Sequence, residues 1–376
     1  MKNLYYLLIA MILIVSCNSD DTDPSIVQAV AEFSSNETNI PIEGNVSFKD
    51  LSTGEPTSWN WNFDGGTPET SKEQNPTVTY NASGTFSVSL TVTNDRTEDT
   101  EIKEGFITVF PETGLIDLTL MHNGLEREYL LYIPEIYTGE EAVPLLFSLH
   151  GRNKSKEGQY YISRFNEIAD TANFILITPE ATVHDNVTFW NNESDPAKAD
   201  DVGFINALID QITKIYNIDE SRIYAAGSSN GGFMCFQLAC RLSNKIAAVT
   251  AVKGVMSDVQ MANCNPRNPT PILQLHGTSD DVVPYTGVAA TLEFWRDFNE
   301  TDTEPVIVAL DDPDPKNGNN VEYVLFTNGL EGTMVEHFRV FGGEHDWFGE
   351  PGINYDIDAS EEAWKFFSKY SLNGRN

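Results

Sequence analysis

Two kinds of apolar spacing divide this chain of 376 residues. Over residues 29–110, apolar and polar positions alternate in short stretches broken by turn residues, the period-two pattern of half-buried strands. Thr85-Phe-Ser-Val-Ser-Leu-Thr-Val-Thr93 is the clearest of them. Phe86, Val88, Leu90 and Val92 fall on one face, with small hydroxyl residues on the other. Val46-Ser-Phe-Lys49 reads as a second strand, and Trp59-Asn-Trp-Asn-Phe63 alternates large aromatics before Asp64-Gly65-Gly66 turns the chain. The segment is predicted to be all-β. It has no catalytic texture, and no histidine lies between residues 18 and 110.

Phe110-Pro-Glu-Thr-Gly114 marks a change of pattern. From about residue 115 to 372, short unbroken apolar runs alternate with stretches whose apolar residues recur every three or four positions. That is the signature of an α/β domain with a mostly parallel central sheet. Strands are predicted at 127–133, 144–150, 174–178, 223–226, 246–252, 271–276, 321–326 and 333–341, and helices at 165–173, 289–298 and 360–370. Asp200 and Asp201 are good N-caps for another helix, along which Val202, Ile205, Leu208, Ile209 and Ile212 keep helical spacing. A stretch of this length can bury its own core.

The first residues follow neither pattern. Lys2 precedes an apolar run over residues 4–15, too short to span a bilayer and fitted to a signal-peptide core. The run ends in Ile14-Val-Ser-Cys17, which resembles a bacterial lipobox: cleavage before Cys17 and lipidation of its thiol are expected. Residues 18–28, beginning Asn18-Ser-Asp-Asp-Thr-Asp23, read as a polar tether similar to the export tags of bacterial surface lipoproteins. The expectation is an extracytoplasmic protein anchored to the outer membrane, on either its periplasmic or its outer face.

Charge narrows the partners. Asp and Glu number 56 against 23 Lys and Arg, a net charge of -33. A nucleic-acid partner needs a basic footprint and is not expected. No His/Cys cluster has metal-ligand spacing, and the glycines at 227–232 lack the lysine of a phosphate loop. Neither metal nor cofactor is expected, and the protein is read as a monomer.

The candidate chemistry centres on Gly227-Ser-Ser-Asn-Gly231, which fits G-x-S-x-G with a buried strand before it and a helical run after it. Strand, sharp turn and helix together form a nucleophile elbow, which exposes Ser229 at the carboxyl end of a sheet beside a helix N-terminus. A serine nucleophile needs a base, and the base needs an acid that fixes its tautomer; in this fold the chain order is Ser, acid, His. His345, in the glycine-flanked Gly342-Gly-Glu-His-Asp-Trp347, is the candidate base, whereas His337 lies inside a strand-like run. Asp280, at the H-G-x-x-D spacing of His276-Gly-Thr-Ser-Asp280, is the candidate acid, with Asp281 one residue away as its alternative. Backbone N–H groups of Asn230 and Arg152 are the candidate oxyanion donors. Trp190 and Trp347 are possible walls of a substrate pocket, Trp190 being equally readable as a buried loop anchor.

Five motifs in order carry a family resemblance: Leu149-His-Gly151, Asp200-Asp-Val-Gly-Phe-Ile205, Tyr224-Ala-Ala-Gly-Ser-Ser-Asn-Gly-Gly232, Leu275-His-Gly-Thr-Ser-Asp-Asp-Val-Val-Pro-Tyr285 and Gly342-Gly-Glu-His-Asp-Trp347. From about 115 to 369 the chain resembles the extracellular feruloyl esterases and polyhydroxybutyrate depolymerase-like esterases of the α/β-hydrolase superfamily. The resemblance implies a secreted serine carboxylesterase with Ser229, Asp280 and His345 as its triad, acting on hydroxycinnamoyl or acetyl esters of polysaccharide. A polyester depolymerase is the alternative; a catalytically dead, glycan-binding lipoprotein is another. Arg152 and His345-Asp-Trp-Phe-Gly349 depart from the family pattern, which bears on the substrate more than on the reaction. Residues 59–68, 74–80 and 83–94 resemble a polycystic-kidney-disease (PKD) repeat, an immunoglobulin-like sandwich, which implies a spacer or a carbohydrate-binding module. Cys235 and Cys240 lie five apart on one helix, poorly placed to bond each other. The resemblance implies a Cys240–Cys264 disulfide, with Cys235 left buried and free.

Overall fold

The computed structural model describes residues 27–110, 112–311, 320–352 and 356–375. The signal segment 1–17 with Cys17, and all but the last two residues of the tether 18–28, lie outside the described residues. The chain separates into two compact units, with the division between Val109 and Phe110.

The first unit is a β-sandwich. One sheet orders Phe33–Ser35, Gly44–Asp50, Thr77–Tyr80 and Gly66–Thr67; the other orders Asn39–Pro41, Glu98–Phe110, Gly84–Thr93, Ser58–Phe63 and Thr70–Ser71. Alternation delivers the core. Val88, Leu90 and Val92 are buried, while Phe86, beyond a bulge in the pairing with Glu98–Phe110, packs against the core only in part. Trp61 is fully buried beside Phe33, Phe48 and Phe63, and its indole N–H donates to the Glu73 carbonyl at 2.9 Å. Trp59, two residues earlier on the same face, packs against this core in part and keeps its indole N–H on Asp50 at 2.8 Å.

The second unit is built on a ten-stranded sheet. Six neighbours at its centre run parallel: Ile175–Pro179, Val143–Leu149, Ile218–Ser228, Ala248–Val252, Ile272–Gly277 and Val335–Phe341. Antiparallel strands extend both edges, Leu125–Ile133 with Gly114–His122 on one side and Asn320–Phe326 with Val306–Ala309 on the other. The parallel strands are buried on both faces, which is why they read as unbroken apolar runs. Their alternate residues feed two cores. Ile223, Ala225, Val249 and Ala251 pack under the helices Asp201–Ile215 and Asn230–Leu242; Tyr224, Ala226, Ala248 and Leu273 pack under Phe165–Ala172 and Ala359–Phe367.

Among the elements that the sequence reading left unassigned are a strand and a helix near the site. Gly114–His122 pairs with the next strand through a hairpin at Asn123 and Gly124, both at positive φ, the conformation an Asn-Gly turn favours. Its half-exposed residues give no apolar run to mark it as a strand. The helix Lys156–Ser163 is short and polar and contains Gly158; it is started by the Ser155 side chain, which accepts from the Gly158 N–H.

Candidate active site

The elbow forms at the junction of Ile218–Ser228 and Asn230–Leu242. Between them Ser229 takes φ 53° and ψ -119°, a strained conformation for a residue with a side chain. Its neighbours leave room for nothing larger than hydrogen. A Cβ on Gly227 would lie 2.3 Å from the Gly231 carbonyl oxygen, and one on Gly231 would lie 2.3 Å from the Leu149 carbonyl oxygen. The Ser229 N–H donates to Val252 O at 2.9 Å, which ties the turn to the adjacent strand.

Asp280 stands just past Ile272–Gly277, its side chain wholly buried. One carboxylate oxygen accepts from the N–H groups of Val282 and Val283 at 2.9 and 2.8 Å. The other lies 2.7 Å from His345 Nδ1 and 3.3 Å from His276 Nε2, whose single N–H also reaches Val283 O at 2.8 Å. Burial alone would raise the Asp280 pKa. The hydrogen bonds from His276, His345 and the Val283 N–H outweigh it and hold the carboxyl well below the usual range. Asp281 is exposed.

His345 follows Val335–Phe341 across Gly342 and Gly343. A Cβ on Gly277 would come within 2.1 Å of the Gly343 carbonyl oxygen, so the acid-bearing and base-bearing loops touch through a residue that must be glycine. His345 Nε2 lies 3.0 Å from Ser229 Oγ. Burial pulls the imidazole below its ordinary pKa, partly opposed by the hydrogen bond to Asp280 and reinforced by the charge of Lys253. His337 stays apart. Its nitrogens meet the Gln274 carbonyl and the Tyr285 hydroxyl at 3.0 and 2.9 Å, and burial pushes it down to about 3.

Gly151, at the head of the loop that carries Arg152, packs against Ser229: a Cβ there would sit 3.3 Å from Ser229 Cβ. Asn230 opens its helix, so its N–H has no partner within the helix. Both loops are held by Trp190. Its backbone N–H donates to Asn230 Oδ1 at 2.7 Å, and its indole N–H donates to the His150 carbonyl at 2.8 Å.

That corrects the reading of the two tryptophans as pocket walls. Trp190 and Trp347 are each fully buried, and neither lines the cleft above Ser229. Trp347 donates its indole N–H to Ser360 Oγ at 3.0 Å and packs edge-on against Phe165. An aromatic in a polar loop gives no sign in sequence of whether it faces inward or out. The cleft, about 630 Å³, is lined instead by Arg152, Lys154, Ile162, Val187, Lys253 and Val282 around Ser229 and His345.

Sequence reasoning also missed the support beneath Trp190. Asp201, buried, accepts from Arg127 at 2.7 Å and from the Asn191 N–H at 2.7 Å, which pins the loop next to Trp190. Asp201 had been visible only as a helix cap. Cys240 and Cys264 are bonded, and Cys235 is buried with a free thiol raised by desolvation. Among the described residues no cluster of His, Cys, Asp or Glu is arranged to hold a metal.

Chemically, the arrangement lets His345 take the Ser229 proton while Asp280 fixes the ring with Nδ1 protonated and stabilises the imidazolium. Comparison with known proteins agrees with this architecture. Residues 22–109 match the PKD domain family, and residues 184–311 match the Phospholipase/Carboxylesterase family. The chain thus carries a PKD-like β-sandwich followed by a domain of α/β-hydrolase fold with a mostly parallel central sheet. The hydrolase is similar to feruloyl esterase B of Piromyces equi, 33% identical over 264 residues that cover 65% of this chain and 46% of that protein. It is also similar to a bifunctional acetylxylan esterase/xylanase of Neocallimastix patriciarum, 28% identical over 257 residues covering 67% of this chain and 34% of that one. The chain thus spans between a third and a half of the length of these two relatives. In fold, an acetyl xylan esterase from Aspergillus awamori superposes with a TM-score of 0.54 at 16% identity, covering 68% of this chain and 98% of that one.

Proposed function

We propose that the protein is a serine carboxylesterase acting on ester-bearing polysaccharide, of feruloyl or acetyl esterase type. One observation carries the reading: a serine at a strained elbow, a histidine 3.0 Å away and a buried carboxylate 2.7 Å beyond it, at the floor of an open cleft. Ser229 Oγ attacks the ester carbonyl as His345 Nε2 takes its proton. The N–H groups of Arg152 and Asn230 receive the oxyanion. His345 then protonates the departing alcohol, and water, activated by the same ring, releases the acid from the acyl-enzyme. Similarity to an acetylxylan esterase and a feruloyl esterase supports the substrate class; those relatives lend no support to a polyester depolymerase. A dead hydrolase that only binds glycan would not be expected to keep the whole relay.

The disulfide suits an oxidising compartment. With the Cys17 lipobox it supports an extracytoplasmic, lipid-anchored protein; we read it as a monomer whose PKD domain, 29–110, would space the hydrolase domain, 115–372, from the membrane. The test is a fluorophosphonate probe followed by a panel of methyl hydroxycinnamates, acetylated xylan and polyhydroxybutyrate film. Labelling at Ser229 with turnover of the first or second substrate is expected. No labelling, or turnover of the film alone, overturns the reading.

A further inference from the structure

Lys253 is out of character for its surroundings. It directly follows Ala248–Val252, the strand whose Val252 carbonyl holds the Ser229 N–H, and it lines the cleft with only 7% of its surface exposed. Among the described residues Nζ makes one hydrogen bond, to the His345 carbonyl at 2.9 Å. Among the described residues no carboxylate stands within ion-pair distance of it. Asp280, Asp346 and Glu350 act on it only at longer range, and Lys154 opposes them. An ammonium has three donors, and burying one without a counter-ion costs free energy unless something repays it.

The rest of the lining is polarised. Arg152 and Lys154 stand exposed on the loop after Val143–Leu149, with no ion pair to either among the described residues; the Arg152 guanidinium lies 5.1 Å over the Phe189 ring. The two acidic residues of the lining, Asp346 and Glu350, belong to the loop that carries His345. In a molecule of net charge -33, the lining beside Ser229 therefore carries three cations, Arg152, Lys154 and Lys253, against two carboxylates. A surface charged for solubility alone gives no reason for that concentration, or for a buried lysine at its base.

We propose that the cleft binds esters that carry a carboxylate close to the scissile bond, received by Lys253 together with Arg152 and Lys154 of the loop after Val143–Leu149. The proposal rests on the carboxylesterase reading above. The acid can belong to the acyl half, as in a dicarboxylic half-ester, or to the alcohol half, as in an esterified uronic-acid sugar.

Paired substrates test it. For the acyl half, mono(4-nitrophenyl) succinate is compared with 4-nitrophenyl butyrate; for the alcohol half, 4-acetoxybenzoate with phenyl acetate. The ratio of charged to neutral kcat/KM is read in the wild type, Lys253→Met and Lys154→Gln, so that a general loss of activity cancels. In one pair the ratio should fall about tenfold in Lys253→Met, less in Lys154→Gln, and fall with added salt in the wild type. If Lys253→Met does not fold, Lys154→Gln and the salt series carry the test. A ratio that both variants and salt leave within about twofold of wild type overturns the proposal. Calorimetry on Ser229→Ala separates this failure from that of the parent reading: tighter binding of 4-acetoxybenzoate than of phenyl acetate, lost on adding Lys253→Met, supports the anionic subsite even without turnover. Equal binding of charged and neutral partners, both in this pair and in the succinate–butyrate pair, overturns it.

Discussion

His345 Nε2 reaches Ser229 Oγ at 3.0 Å across 116 positions of chain, because both residues leave the same ends of parallel strands. In the sheet, Ile218–Ser228 and Val335–Phe341 are separated by Ala248–Val252 and Ile272–Gly277. Ser229 leans toward the intervening strands by donating its N–H to Val252 O, and His345 leans back over Gly277 toward Asp280. The relay is thus a property of strand order, and its members can be tested one at a time.

Ser229→Ala should lower kcat/KM for 4-nitrophenyl acetate by about four orders of magnitude or more, the loss typical of removing a triad nucleophile. Alanine fits the same backbone as serine, so thermal unfolding followed by circular dichroism should be nearly unchanged. Hydrolysis close to wild type with an intact fold removes Ser229 from the mechanism.

The pH dependence follows from His345. The ring is the base only when neutral, and burial lowers its pKa, with Lys253 adding to the effect. Activity is therefore full above that pKa and is lost as the pH falls through it. The acid limb of kcat/KM against pH should lie below the ordinary imidazole value of about 6.5. A limb at or above that value would contradict the environment described.

Asp280 and Asp281 offer a contrast within one loop. Asp280→Asn leaves an amide opposite the His345 Nδ1–H and should cost about three to four orders of magnitude in kcat, through the wrong tautomer. Asp281→Asn changes an exposed side chain outside the relay, and its kinetics should match wild type. Equal losses in the two variants would mean that the acid has been misassigned.

The relay was legible in sequence because each member sits in a local signature that the backbone demands. Gly227 and Gly231 flank Ser229 because no Cβ fits there, and glycines lead to His345 because its loop presses on Gly277. Buried parallel strands were legible for a similar reason, since burial on both faces removes polar positions. The tryptophans were not legible. Whether Trp190 faces the cleft or the core depends on His150, Asn230 and Asn191, partners that no periodicity brings together. Lys253 was equally silent: one lysine after a strand looks like surface until the neighbouring loops close over it.

The Cys240–Cys264 bond ties the helix behind the nucleophile to the end of Asp258–Asn263, closing a loop with a sequence separation of 24. For a loop of that length, chain-entropy arguments give about 3 kcal/mol of stabilisation. Cys240→Ala with Cys264→Ala should lower the denaturant midpoint accordingly, and reductant should do the same to the wild type. A midpoint unmoved by both would show that the bond adds nothing to stability.

Trp190 provides the sharpest test of how the proposed oxyanion donors are held. The indole N–H fixes the His150 carbonyl, at the start of the loop that carries Arg152, while the main chain of the same residue holds Asn230. Trp190→Phe keeps an aromatic ring in place but removes the indole donor with part of the ring volume, leaving a buried carbonyl unpaired at a cost of about 1–3 kcal/mol. Were the residue a pocket wall, its loss would act mainly on KM and on the choice of acyl group. As a clamp it should lower kcat for every ester alike, with KM little changed, because an oxyanion donor acts on the transition state more than on the bound substrate. Steady-state kinetics on acetyl and feruloyl esters of one alcohol distinguish the two: a selective change in KM would return Trp190 to the substrate, and a uniform fall in kcat keeps it behind the oxyanion site.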